Sequence, residues 1–160
     1  MRTAYLGLGS NIDARKNIAS AIQSLQESFT RVALSPQYKS SPAGFEGSDF
    51  INLVAEVDTD LSPIQLKRWL FELENRHGRA RDVPKFSDRT LDIDILLYDD
   101  LYLLSPELEI PREEIQEYAH VLKPLADLAP ELLHPVRRKT IAELWDEFRD
   151  QNPEPALIKL

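Results

Sequence analysis

Cysteine is missing from this 160-residue chain, which excludes a disulfide framework and any zinc–cysteine site and fits a reducing compartment. Long hydrophobic runs are missing too. No uncharged stretch approaches the length of a bilayer span, and the opening MRTAYLGLGSN holds only a short apolar run without a signal-like segment, so a soluble, cytoplasmic protein with no membrane partner is expected. Basic excess is absent: 19 Lys and Arg stand against 27 Asp and Glu, a formal charge of -8. Binding along a nucleic-acid backbone needs a positive footprint, and no basic strand pattern with interleaved aromatics is evident, so no nucleic-acid partner is expected and any basic site must be local. There is no internal repeat, linker or low-complexity tract. What the chain does have is 42% apolar residues, enough to argue against disorder, and a length suited to one domain over residues 1–160.

The apolar spacing places the elements. Thr3 to Leu8 is short and β-compatible, and GLGSN ends it in turn-permitting residues. Ile18, Ile22 and Leu25 recur at helical spacing. Val32 to Tyr38 is a weaker strand candidate, Ser40 to Phe50 reads as a loop, and Ile51 to Val57 as a strand. Ser62, Pro63 and Gln65 form a helix start with a capping box, followed by the stripe Leu66, Leu70 and Leu73. Residues 77–90 are polar and loop-like, Leu91 to Tyr98 is strand-like, and after a less regular segment Thr140 to Phe148 makes a terminal helix. The order strand, helix, strand, strand, helix, strand predicts an α+β fold, a ferredoxin-like alpha/beta sandwich with additional C-terminal elements.

Against the acidic background, one stretch concentrates cations beside two acids: HGRARDVPKFSDRTLDIDILLYDD sets Arg79, Arg81, Lys85 and Arg89 before Asp92 and Asp94. Residues two apart on a strand share a face, so Asp92 and Asp94 point together while Leu91, Ile93 and Ile95 turn to the core. Paired carboxylates repel unless compensated, and magnesium supplies a cation that prefers oxygen ligands. A plain solvated strand face is the alternative. Arginines bind phosphate oxygens directionally, so acids and arginines together suggest metal-assisted phosphoryl transfer, with ordinary surface ion pairs as the alternative for each arginine alone.

GLGSN is neither a G-x-x-x-x-G-K-[ST] phosphate loop nor a full dinucleotide fingerprint. Gly7 and Gly9 are expected to let the first strand turn closely past a ligand-bearing loop, with Ser10 and Asn11 bonding the backbone. Asn52, flanked by Phe50, Ile51 and Leu53, must find partners if buried, either the edge of a heteroaromatic ring or a neighbouring loop. Phe50 and Phe86 are suited to stacking on such a ring or to ordinary core packing.

Taken in order, AYLGLGSN, SSPAGF, DFINLV, ELENRHGRAR and DRTLDIDILLYDD resemble the 6-hydroxymethyl-7,8-dihydropterin pyrophosphokinases of folate synthesis. The resemblance extends over nearly the whole chain and weakens after about residue 110. It implies a ferredoxin-like core with loops over ATP and pterin sites, and transfer of pyrophosphate from ATP to the pterin hydroxymethyl group with release of AMP by a monomer. It further implies that Asp92 and Asp94 bind two Mg2+ ions, that Arg79 and Arg89 contact phosphates, and that Arg81 belongs to a moving catalytic loop. Glu74 falls near the nucleotide site. Phe50 and Asn52 match pterin-pocket positions, Phe86 helps close the site, and Ser40, Pro42 and Ala43 fall in the substrate-contacting loop.

The chain departs from that pattern after Pro111. The family usually has a histidine–tyrosine pair, then a nucleotide-contacting arginine and a phenylalanine that sandwiches the pterin. Here PREEIQEYAHVLKPL puts Arg112 and Glu113 at the pair, Tyr118 at the arginine and His120 at the phenylalanine. Arg112 offers an alternative phosphate contact and His120 an alternative stacking ring, whereas Tyr118 cannot supply a guanidinium charge. A noncatalytic or altered-substrate pterin- or nucleotide-binding paralogue is the competing expectation.

Overall fold

A computed structural model describes residues 1–42, 44–84, 87–153 and 155–160. Among the described residues, five antiparallel pairings build its main sheet around two central strands. Strand β1 (Arg2–Ser10) lies between β4 (Phe50–Thr59) and β5 (Asp92–Tyr98), with Gly9 opposite both Asn52 and Asp92. On the far side of β4 run two short strands, β2 (Val32–Leu34) and β3 (Tyr38–Ser40), and β8 (Leu157–Lys159) pairs with β3 at the edge. The resulting order, β5-β1-β4-β3-β8 with β2 also on β4, contains the ferredoxin-like arrangement when β2 and β3 are taken as one interrupted strand. The interruption has a cause: Pro36 has no amide hydrogen to donate, and the Ser35 hydroxyl accepts a bond from the Val54 amide at 2.8 Å.

Both faces of the sheet are covered. One packs against α1 (Ala14–Ser28) and α2 (Pro63–Arg76), where Ile18, Leu25, Leu66, Leu70 and Leu73 meet Leu6, Leu53 and Ile93. Ser62 caps α2 in the expected reciprocal box with Gln65. The other face meets a C-terminal layer: α3 (Glu114–Glu117), α4 (Ala119–Leu128) and α5 (Ile141–Gln151), through Ile115, Leu122, Leu125, Ile141 and Leu144. Thr140 caps α5 with Glu143. A small ribbon, β6 (Leu103–Leu104) with β7 (Glu109–Ile110), precedes that layer.

Double coverage makes the central strands apolar on both sides, with one exception. Along β5, Ile93 and Ile95 enter the first core while Asp92 and Asp94 face the other way. Leu6 pairs with Ile95 and Tyr5 with Leu97, leaving Leu96 as an extra residue, a bulge. The bulge shifts the alternation by one, so Leu96 and Leu97 both join the second core and Tyr98 returns to the first. The C-terminal layer covers Tyr5, Val54, Leu96 and Leu97 but leaves the sheet open beside Gly9, Asn52, Asp92 and Asp94.

Candidate active site

That uncovered part of the sheet is the floor of a cavity of about 310 Å³. Gly7, Gly9, Phe50, Asn52, Asp92 and Asp94 rise from the three strands, Ser40 comes from β3, Arg79 and Arg89 from the loop before β5, and Arg112, Tyr118 and His120 from the C-terminal layer. Nine residues predicted from the sequence therefore meet: Ser40, Phe50, Asn52, Arg79, Arg89, Asp92, Asp94, Arg112 and His120.

The glycines do not turn the chain, as GLGSN had suggested; β1 continues through them to Ser10. Their role is close approach. A β-carbon on Gly9 would come 3.1 Å from the Asn52 side-chain oxygen and 3.7 Å from the Phe50 ring, and one on Gly7 would press on Leu96 at 3.3 Å. The strand end is then fixed by side chains, since the Ser10 hydroxyl donates to the Thr90 carbonyl at 2.6 Å. Asn11 donates to Ser48 O and to Asp88 and accepts from the Arg89 amide, joining both loops that border the cavity. Asn52 is buried and donates to the Ser40 hydroxyl at 2.7 Å while still facing the cavity.

Arg79 is held by acids from two elements. One of its terminal nitrogens lies 3.0 Å from Glu74 Oε2, 3.0 Å from Asp92 Oδ1 and 3.1 Å from Leu91 O. Glu74 is buried and does not line the cavity. It accepts from the Ile93 amide at 2.9 Å, and its other oxygen lies 3.0 Å from Arg81. Burial raises the Glu74 pKa, opposed by the Ile93 N–H and the two arginines. Arg81 lies over the Phe71 ring at 4.0 Å and donates to Asn75, on the flank of α2 and outside the cavity wall. Arg89 donates to the Ser87 hydroxyl and to Pro84 O, and its pKa is lowered by burial and by Arg79.

The carboxylate pair is electrostatically costly. Burial first, then the neighbouring Asp92 charge, pushes the Asp94 pKa up to about 7, with Arg112 pulling against the shift. Arg112 is anchored through its own backbone, whose amide donates to Leu96 O at 3.0 Å, and its side chain forks onto Glu114 at 2.8 and 2.9 Å. Burial opposes its charge, but Asp94 and Glu114 outweigh that and the Arg112 pKa is raised. Beyond it, Tyr118 and His120 stack with centroids 5.1 Å apart. Burial lowers the His120 pKa, partly offset by Asp92.

Pro42 does not line the cavity, and Ala43 and Phe86 lie outside the described residues. Phe45, Glu114, Glu117 and Tyr118 line it without having been picked as site residues. Phe45 packs edge-on against Phe50 at 6.3 Å; an aromatic beside a glycine in a polar loop was its only sequence signal. Glu74 shows a clearer one. It follows Leu66 by eight positions and so falls on the buried stripe of α2.

Comparison with known proteins shows the family and the fold. The family model for 7,8-dihydro-6-hydroxymethylpterin-pyrophosphokinase (HPPK) matches residues 5–130. A Pseudomonas aeruginosa protein named 2-amino-4-hydroxy-6-hydroxymethyldihydropteridine pyrophosphokinase is 42% identical over 139 residues, covering 84% of this chain and 85% of its own. A Haemophilus influenzae protein of the same name is 36% identical over 164 residues, covering 100% and 99%. In fold, the chain resembles wild-type Plasmodium falciparum HPPK-DHPS at a TM-score of 0.76 and 16% identity, over 99% of this chain and 48% of that one. The match reaches through residues 112–120, and on that extent and identity the chain belongs to the HPPK family.

Proposed function

We propose that the chain transfers pyrophosphate from ATP to the hydroxymethyl oxygen of 6-hydroxymethyl-7,8-dihydropterin, releasing AMP, as a pyrophosphokinase of folate synthesis. The observation that carries this reading is the meeting of Asp92 and Asp94, three arginines and the Phe50–Asn52 strand end in one cavity, in a chain of this family. The substrate hydroxyl attacks the β phosphorus in line with the departing AMP oxygen, and no serine or cysteine nucleophile is needed.

Asp92 and Asp94 suit Mg2+. They supply oxygen donors only, share one face of β5, and include a carboxylate whose raised pKa reflects repulsion that a cation relieves. Two ions held there would neutralise phosphate oxygens and the attacking hydroxyl. Arg79, Arg89 and Arg112 orient the phosphates, and Glu74 keeps Arg79 in place. Asn52 reads the edge of the pterin, Phe50 and His120 take its faces, and Ser40, Pro42, Ala43 and Phe86 belong to the loops around it. For Arg81 to act on the substrate, its loop must leave Phe71 and Asn75.

The main sheet, which takes strands from Arg2–Ser10 to Leu157–Lys159, supports a single domain over 1–160, and the absence among the described residues of a helix long and apolar enough to cross a membrane is compatible with a cytoplasmic enzyme. We take it to act as a monomer without nucleic acid, in keeping with the acidic charge. Product analysis decides the chemistry. AMP with a pyrophosphorylated pterin is expected, and ADP with a monophosphorylated pterin would refute the transfer. Binding of both ligands without turnover would favour the noncatalytic reading that the 112–120 departure raises.

A further inference from the structure

The pair Arg112–Glu114 is self-contained. Arg112 uses its Nε and one terminal nitrogen, the edge that grips two oxygens at once, on the Glu114 carboxylate. Among the described residues its side chain has no other hydrogen-bond partner, and Glu114 accepts from no other side chain. Both residues line the cavity, with side chains 31% and 28% exposed, so the ion pair stands in the space a ligand enters. The Arg112 backbone, by contrast, is fixed to Leu96 O, so the guanidinium can swing without the chain moving.

We propose that Glu114 is an internal competitor for the nucleotide: it occupies the two-oxygen edge of Arg112 in the ligand-free enzyme and yields it to a phosphate when ATP binds. This rests on the pyrophosphokinase reading and adds a positioning residue to it. Glu114 holds the arginine ready in the cavity wall, at the cost of part of the nucleotide affinity that Arg112 provides. Such a contact is self-limiting, because the carboxylate recaptures the guanidinium as the phosphate leaves. A pair about a third exposed is weak enough to be exchanged in this way.

Titration with an unreactive ATP analogue and Mg2+ tests it. Glu114→Gln keeps the side-chain shape and should tighten binding by roughly two- to fivefold, the range a partly exposed ion pair carries. Removing a negative charge from the cavity raises affinity for an anion without any latch, so Glu117→Gln is the control, since Glu117 lines the cavity without bonding Arg112. Glu114→Gln should gain more than Glu117→Gln, and its excess over that control should vanish when it is made in an Arg112→Ala background. Unchanged or weaker binding by Glu114→Gln overturns the proposal, as does an equal gain in either control. Nucleotide binding and AMP formation by the parent enzyme are measured alongside. Their absence would bring down the pyrophosphokinase reading and this inference with it, whereas their presence with a failed comparison overturns the role of Glu114 alone.

Discussion

The cavity has two arginine-bearing walls built on different plans. Arg79 is clamped across the fold: Glu74 comes from α2, Asp92 from β5, and Glu74 also binds the backbone of Ile93. The side chains of Arg79 and Glu74 are only 13% and 8% exposed. Arg112 is held by a residue two positions away, in a pair about a third exposed. A buried charge deprived of its partner is strongly destabilising, whereas an exposed pair contributes little to stability. The first wall therefore serves fold and site together; the second can change without disturbing the fold.

Four experiments would break or sharpen this contrast. The largest effect is expected at the floor the walls share. Asp92→Asn and Asp94→Asn keep side-chain size but remove the charge a magnesium ion needs, and turnover at limiting Mg2+ should fall by about a hundredfold or more with an unchanged circular-dichroism spectrum. Normal rates in both variants would remove the metal assignment. Next, Glu74→Ala removes one of the two acids on Arg79 and leaves the buried Ile93 amide unbonded, and should cost about 3 kcal/mol in urea unfolding. A loss below about 1 kcal/mol would put the two walls in the same class. Arg112→Ala should leave unfolding within about 0.5 kcal/mol of the parent while weakening nucleotide binding. Arg112→Lys should recover only part of that binding, because an ammonium lacks the planar fork. An alanine variant that matches the parent in binding and rate would discard Arg112 as a phosphate contact.

The smallest effect concerns the support behind the second wall. His134, between α4 and α5, is buried and accepts at Nδ1 from the amides of Val136 and Arg137, which fixes a neutral ring with the proton on Nε2. Its pKa is lowered, by burial and then by Arg137. The unfolded chain consequently binds the proton more readily, so this contribution to stability is present above about pH 6.5 and declines as pH falls through that value toward the lower folded pKa. Urea midpoints at pH 7 and pH 5 should drop further for the parent than for His134→Asn, and equal drops would exclude the histidine.

How much of this was legible in the sequence follows the same division. Ser62 announced its helix because a capping box is a local pattern, the terminal helix showed in the apolar spacing of Ile141, Leu144 and Trp145, and the acids of β5 showed through because a strand places alternate residues together. Val32 to Tyr38 read as one strand because the bond between Ser35 and Val54 is a tertiary contact with no local signature. Helix α4 was hidden by Pro124 inside it and by a start without a side-chain cap. The three residues of β8 are too few for any periodicity. At the site, residues projecting from strands were found. Glu114, Glu117 and Tyr118 were not, because the face that a short helix presents to the cavity depends on how it packs.

The bulge at Leu96 separates two phases of a single strand. Before it, alternate positions deliver Asp92 and Asp94 to the cavity; after it, Leu97 and Tyr98 are distributed between the two cores by a different count. Changes of length therefore have unequal consequences along this segment. The polar residues 79–84 can absorb an insertion by altering their path, and removing Leu96 would restore unbroken alternation with Ile95, Leu97 and Tyr98 each in its present core. The losses would be the Leu96 side chain, which packs in the second core over Gly7, and its carbonyl, which anchors the Arg112 amide. In the history of such a chain, loss of a residue is borne better at Leu96 than between Asp92 and Ile95, where it would turn an aspartate toward the core.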